Sequence, residues 1–478
     1  MLSGTARDAD RPATFRDVLA VREFRTIYVA ATLSWFGDYA ARAAITALVY
    51  QATGSAAASA AAFAITYAPW LLGGSVLVSI AERYPYRSVM VFCDVARMLL
   101  MAVVLVPDLP TPLIVLVVLA AAFFSPPFDA ARSATLPSVL TGDRYVVGVA
   151  LQSATGQPAM VTGYLAGAAI AVYEPRVALA INALTFGVSA LLVRFGVALR
   201  EPALDRARRT DLLGETLDGF RLVFASPALR ALVLVVFCGS LFVVVPEGLG
   251  AAWAAELTDE AHRGWAQGAI MAAVPLGSIF GALIVSRFVA PSNRARILRP
   301  IAIASPIALI PALFKPHVVI VVLLAGLCGF GIGALVPIAN GQFVQALPNA
   351  FRARAFGVVQ GGLHLVQGGA VLLTGLLAHV LPVSIVVGVW SAIGLVLMLM
   401  LALSWPSQRA FDAAVADATR ANTSQPPRHA AEDCDEEPTP PAAPPTRVSR
   451  WLLAAARRRG PAQTALPGGA GAPGTMEP

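Results

Sequence analysis

Residues 35–45 read WFGDYAARAAI. An aspartate, Asp38, and an arginine, Arg42, stand four residues apart inside a long apolar run. A charge at the centre of a bilayer costs ~2.5–3.5 kcal/mol on insertion scales, so a helix facing lipid on all sides would not keep two. At i, i+4 the two side chains share one helix face. Either the run never enters lipid, or that face is turned away from it.

The composition decides between these. The 478 residues are 57% hydrophobic and only 13% charged. Soluble domains carry roughly 25% charged residues, so a water-facing surface for a chain this long is not available. Apolar runs of about 20 residues recur, the length that crosses ~30 Å of hydrocarbon as helix. The short alternating segments of a transmembrane barrel are absent. The chain therefore reads as an all-α integral membrane protein embedded in a lipid bilayer. Net charge is +7, and Lys315 is the only lysine among the 35 basic residues. A basic balance can mean nucleic acid, but here the arginines cluster between apolar runs, which is the positive-inside pattern. No nucleic-acid partner is expected. Cys93, Cys238, Cys328 and Cys434 are far apart and lack metal spacing, so no disulfide framework, metal site or cofactor is expected. The polar N-terminus has no early apolar segment, and no cleavable signal peptide is expected.

Apolar spans fall near 26–50, 58–80, 88–107, 111–131, 147–173 and 176–197, then near 229–247, 265–289, 298–315, 317–338, 355–381 and 383–404. Their connections alternate. Arginines crowd the N-terminal segment 1–25, the loops holding Arg83 and Arg87, Arg132 and Arg144, Arg287 to Arg299, and Arg352 with Arg354. QATGSAA, PDLPTP, YEPR and LTDEAHR, on the other side, are nearly free of them. This places both termini in the cytoplasm and requires an even number of spans. The charged loop 198–228 divides the chain into halves 26–197 and 229–405 of six spans each. Arginine-bearing loops follow the second span of both halves, which suggests a transporter made of structural repeats with its site between them near midplane.

Residues 406–478 change character, with Pro, Ala and charge dominating (AEDCDEEPTPPAAPPT), and read as a disordered cytoplasmic tail. Within it VSRWLLAAARRRG (Val448–Gly460) is either a basic amphipathic helix on anionic lipid or a solvated basic patch. No GxxxxGK[ST], HExxH, GxSxG or CxxC occurs, so the chain is not expected to be an enzyme. CGFGIGA (Cys328–Ala334) lies inside span 10, where small residues serve close helix packing rather than nucleotide binding.

Four stretches carry a family resemblance. AERYPYRS (Ala81–Ser88) after span 2 resembles the G-x-L-A-D-R-x-G-R-R loop of the major facilitator superfamily. Glu82 takes the acidic position and Arg83 and Arg87 follow; Val78 replaces the leading glycine and Tyr86 one basic residue. SPPFDAARSATLPSVL (Ser125–Leu140), ANGQFVQALPNAFRARAFG (Ala339–Gly357, with Asn340, Pro348, Arg352 and Arg354) and LSWFGDYAARAAITALVYQATGS (Leu33–Ser55) are similar to that superfamily's bacterial enterobactin-exporter and drug (macrolide) efflux branch. The resemblance covers roughly residues 14–405. It implies two six-helix halves rocking about a central cavity and an ion gradient, usually protons, as the driving force. It also implies that Glu82, Arg83 and Arg87 latch helices together in the outward-facing state. Without that implication they are topology-setting charges.

For the polar residues at membrane depth, two readings stand in each case. Asp38 is a proton carrier, or it forms a permanent ion pair with Arg42 that lets both charges sit in the membrane. Arg42 is also a contact for an anionic substrate. Asp94 and Arg97, three residues apart on span 3, extend the latch network or form a local pair. Gln152, Gln157 and Tyr164 on span 5, with Gln360, His364 and Gln367 on one face of span 11, line a cavity or bond neighbouring helices. Asn340 joins the pathway set. Glu247 after Pro246 reads as a solvated helix end rather than a gate.

The expectation is a monomeric secondary transporter of the plasma (inner) membrane. It would export a small amphipathic or apolar molecule by proton antiport. Import, a siderophore-type substrate, or a non-transporting scaffold or sensor are the alternatives. The cost of acidic and amide groups at membrane depth argues against the scaffold.

Overall fold

The structure, a computed structural model, describes residues 13–72, 83–200, 220–221, 223–348 and 352–423. A short helix, Phe15–Ala20, is opened by a reciprocal cap between Thr14 and Asp17. Span 1 is the helix Arg22–Thr53, whose first turn with Glu23 precedes the apolar run. It stops at Gly54, where φ of +63° is open to glycine at little cost. Ser55 then accepts the Ala58 N–H and starts span 2 (Ala56–Ala64, Ile65–Tyr67, Ala68–Leu72). The following spans are Tyr86–Val103, Thr111–Ala122 with Ser125–Val139, Asp143–Ala171 and Pro175–Gly196. The second half holds Pro227–Val243, Arg263–Phe288, Pro291–Ile307 with the 3₁₀ turn Ile310–Phe314, Val318–Gln345, Arg352–Leu377 and Val383–Leu403.

Spans 4 and 7 are interrupted at proline, which lacks the N–H that the preceding turn requires. Span 4 breaks before Pro126 and Pro127. Span 7 breaks around Pro246 but resumes as Val245–Gly248 and Gly250–Leu257. It therefore does not end near 247, and Glu247 sits in mid-span, buried, rather than at a solvated helix end. Beyond span 12, Gln408–Thr423 is a helix whose Phe411, Ala414 and Val415 pack on the main core, so the tail is ordered to 423. The rest of the tail, including Val448–Gly460, lies outside the described residues, as does Glu82.

The halves repeat one packing plan. Span 1 packs on spans 5 and 6, and span 7 on spans 11 and 12. Span 3 packs on span 6 as span 9 does on span 12. The halves meet along spans 5 and 8 and along spans 2 and 11. Both seams are drawn tight by glycine towards the arginine-poor connections. A Cβ on Gly264 would stand 1.8 Å from Val172 Cγ2, and one on Gly375 2.4 Å from Ala60 Cβ. Towards the arginine-rich end, Gly156 of span 5 and Gly357 and Gly361 of span 11 face open space. The CGFGIGA run packs span 10 on span 8: Cβ atoms on Gly329 and Gly333 would meet the Val274 and Ser278 carbonyls at 2.1 Å.

Candidate functional site: a charged cavity between the halves

The seams enclose a part-open cavity of about 560 Å³. Every span except 9 and 12 lends it a residue. Asp38, Arg42, Gln157, Gln360, His364 and Gln367 all line it. Span 1 brings its polar face here because Gly37, one residue before Asp38, lets span 6 approach closely; a Cβ there would meet Thr185 Oγ1 at 2.3 Å.

Asp38 and Arg42 do not pair with each other. Asp38 Oδ2 lies 3.8 Å from Arg97 Nη1. Arg97 in turn donates to Asp94 Oδ1 at 2.6 Å, and Ser189 Oγ of span 6 donates to Asp94 Oδ2 at 2.6 Å. The Phe128 and Phe186 rings flank the Arg97 guanidinium at 4.6 and 4.3 Å. Asp94 and Arg97 are fully buried, and Arg97 lines the cavity. They thus form a buried pair in the bundle interior. Of the latch residues, Arg83 is exposed, and Arg87 donates to the Val197 carbonyl at 3.2 Å, where it caps the end of span 6. Arg352 likewise donates to the Val344 carbonyl at 3.3 Å, and the Arg354 side chain lies outside the described set.

A second pair sits on the helix that follows the break in span 4. Arg132 donates to Asp129 at 3.0 Å, and its guanidinium lies 4.8 Å from the Trp35 ring. Asp129 and Trp35 line the cavity. Gln152 is not a lining residue: it is buried behind this pair, its Oε1 3.5 Å from Arg132 Nη1. Asn340 is exposed and outside the cavity lining.

Tyr164 is also absent from the lining. It is fully buried and donates to Glu247 Oε2 at 3.0 Å, joining span 5 to span 7 across the halves. A second cross-half tie runs from Gln267 Nε2 of span 8 to the Ala43 carbonyl at 2.8 Å and Thr46 Oγ1 at 3.2 Å on span 1. On the far wall His364 stacks on Trp70 at 5.0 Å with 7° between the rings, and Tyr67 stands 5.7 Å from His364. Outside the membrane, Arg200 grips Glu23 through both oxygens at 2.5 and 2.8 Å, while the Ala198 N–H donates to the same carboxylate.

Sequence reasoning did not find Asp129, Arg132, Glu247 and Gln267 as parts of one assembly. The signals were present: a charged pair three residues apart following two prolines, and a carboxylate directly after a proline in an apolar span. A chain that crosses a membrane keeps such groups where they are paired or wet.

Residues 27–247 match the family model of the Major Facilitator Superfamily. The multidrug efflux pump Tap of Mycolicibacterium fortuitum is 27% identical over 162 residues, which span 33% of this chain and 38% of that protein. The match therefore covers well under half of that relative. Among solved structures, the nucleoside transporter NupG superposes with a TM-score of 0.60 at 15% identity, over 80% of this chain and 100% of that one. A POT family transporter in complex with 5-aminolevulinic acid gives 0.62 at 13% identity, over 80% and 96%. At these identities the likeness is one of fold. Residues 27–247 therefore carry the sequence signature of the Major Facilitator Superfamily, and the chain shares the fold of these solved transporters.

Proposed function

We propose that the chain exports a small amphipathic molecule across the plasma (inner) membrane, working as a monomer in exchange for protons and by alternate opening of the central cavity to the two sides. The observation that carries this reading is Asp38. Its carboxylate faces the cavity, and its nearest cation, Arg97, is already committed to Asp94 at 2.6 Å while standing 3.8 Å from Asp38. A loosely held carboxylate at the seam of two moving halves can take up a proton in one state and release it in the other. The similarity of part of the chain to an efflux pump supports export as the direction. By the positive-inside rule the arginine-rich end and both termini are cytoplasmic, so the cavity as described would load from the cytoplasm.

The test is substrate-dependent proton movement in inverted vesicles, wild type beside Asp38→Asn. Transport in wild type with proton movement reduced tenfold or more in the variant is expected. Unchanged coupling in the variant would remove Asp38 from the carrier role. Full biological activity without any transport would favour the scaffold.

A further inference from the structure

The cavity's carboxylates and its arginines are unequally satisfied. Asp94 holds Arg97 and Ser189, Asp129 holds Arg132, Asp38 has Arg97, and Glu247 accepts from Tyr164. Arg42 differs from all of them. Its guanidinium carries five N–H donors in a fixed fork and keeps its charge at any working pH. Among the described residues it makes no hydrogen bond or ion pair. Its contacts are the faces of Tyr39 and Tyr67, at 5.3 and 5.7 Å from the ring centroids. Those rings stabilise a cation through their faces but offer the fork no carboxylate or carbonyl oxygen, so its in-plane donors are left to whatever fills the cavity.

The surroundings of Arg42 define a ligand shape. Tyr67, which flanks the guanidinium, leads across the seam to the parallel stack of Trp70 on His364. Charge and flat wall therefore adjoin within one cavity, and Gln360 and Gln367 add neutral hydrogen-bonding groups on the same side as His364. Arginine forks match planar two-oxygen anions in particular.

We propose that Arg42 is the seat for the carboxylate of an aromatic substrate, whose ring lies along the Tyr67–Trp70–His364 wall. The inference rests on the cavity being the substrate site, and it narrows the amphipathic substrate to an aromatic acid. A cationic amphiphile is the opposite choice. It would have to take a carboxylate from Arg97, Arg132 or Tyr164, whereas an anion at Arg42 displaces no hydrogen-bond or ion-pair partner among the described residues.

The experiment uses the purified full-length protein and three probes of equal ring size: 2-naphthoate, 2-naphthamide and 2-naphthylmethylammonium. Binding is measured by titration calorimetry at neutral pH without any gradient. Naphthoate should bind at least tenfold tighter than the other two. Arg42→Gln should reduce it to the level of the amide, and Arg42→Lys, which keeps the charge and loses the fork, should fall between. Equal or tighter binding of the amide or the ammonium by wild type overturns the proposal, and that comparison needs no variant to fold. So does naphthoate binding that is not saturable or is untouched by Arg42→Gln. Because no gradient is involved, the outcome is independent of proton coupling. Intact discrimination beside failed proton-coupled export would discard the antiport and keep the seat.

Discussion

Among the described residues, all six spans of the second half contain a stretch long and apolar enough to cross a bilayer on composition alone; in the first half Thr111–Val139 and Pro175–Gly196 do. The two halves share a packing plan, so the difference is chemical. Asp38, Arg42, Asp94, Arg97, Asp129 and Arg132 all belong to the first half, and Glu247 is the matching charge of the second half that faces the cavity. The first half presents ion pairs and Arg42 to the cavity, and the second presents Glu247 with amides, an imidazole and apolar walls.

The sharpest way to break this contrast is to unpair the first half. Asp94→Leu should cost about 3–5 kcal/mol, because Arg97 then stays buried with Asp38 at 3.8 Å as its remaining counter-charge. Thermal unfolding of the purified protein measures it, and a companion Asp94→Leu, Arg97→Leu variant should regain most of the loss. Thr374→Val in the second half should cost ~1 kcal/mol or less, since that hydroxyl bonds only its own helix. Equal losses at the two sites would erase the contrast.

The seam comes next. Gly264→Leu pushes into Val172 and the Ala168 carbonyl, so the spans 5 and 8 seam cannot close as it does here. Overpacking of this kind costs about 1–3 kcal/mol, and the population should move towards the state open at that end. After replacement of the natural cysteines, spin labels at Tyr173 and Glu260 would report a longer distance; an unchanged distribution would show that the seam has slack.

Tyr164→Phe removes one cross-half hydrogen bond, for about 1 kcal/mol in the same direction. The same labels should detect a smaller shift. No shift would mean that the Gln267 bonds and the packing of spans 5 and 8 suffice to hold the halves together there.

The smallest effect lies outside the cavity. Arg200, and then the Ala198 N–H, hold the Glu23 carboxyl below its ordinary value. A lowered folded value means that the clamp's stabilisation is present above the ordinary carboxylate range and fades as pH falls through the lowered one. Both side chains are partly exposed, so solvent screening limits it to roughly 0.5 kcal/mol. The melting difference between wild type and Glu23→Gln should be constant near neutral pH and vanish in acid. A difference that grows in acid would contradict this assignment.

Much of the architecture was legible because its cause is local. A span needs about twenty apolar residues, and arginine placement orients it. The site was legible in part. Asp38 and the face Gln360, His364 and Gln367 do reach the cavity, because a charge or a polar stripe at membrane depth must avoid lipid. Partners were not legible. The i, i+4 spacing pointed Asp38 at Arg42, yet Arg97 from another helix takes that carboxylate and tyrosine rings take the arginine. The Pro246 break looked like an end because a sequence window cannot tell a kinked helix from a finished one.

The sequence by itself determined that this chain spans a membrane many times and which face of span 1 avoids lipid, since both follow from the free energy of placing side chains in hydrocarbon. Only the tertiary structure decided which charge neutralises which. That depends on distances between helices far apart in the chain, and it is what leaves Arg42 with a free fork in the cavity.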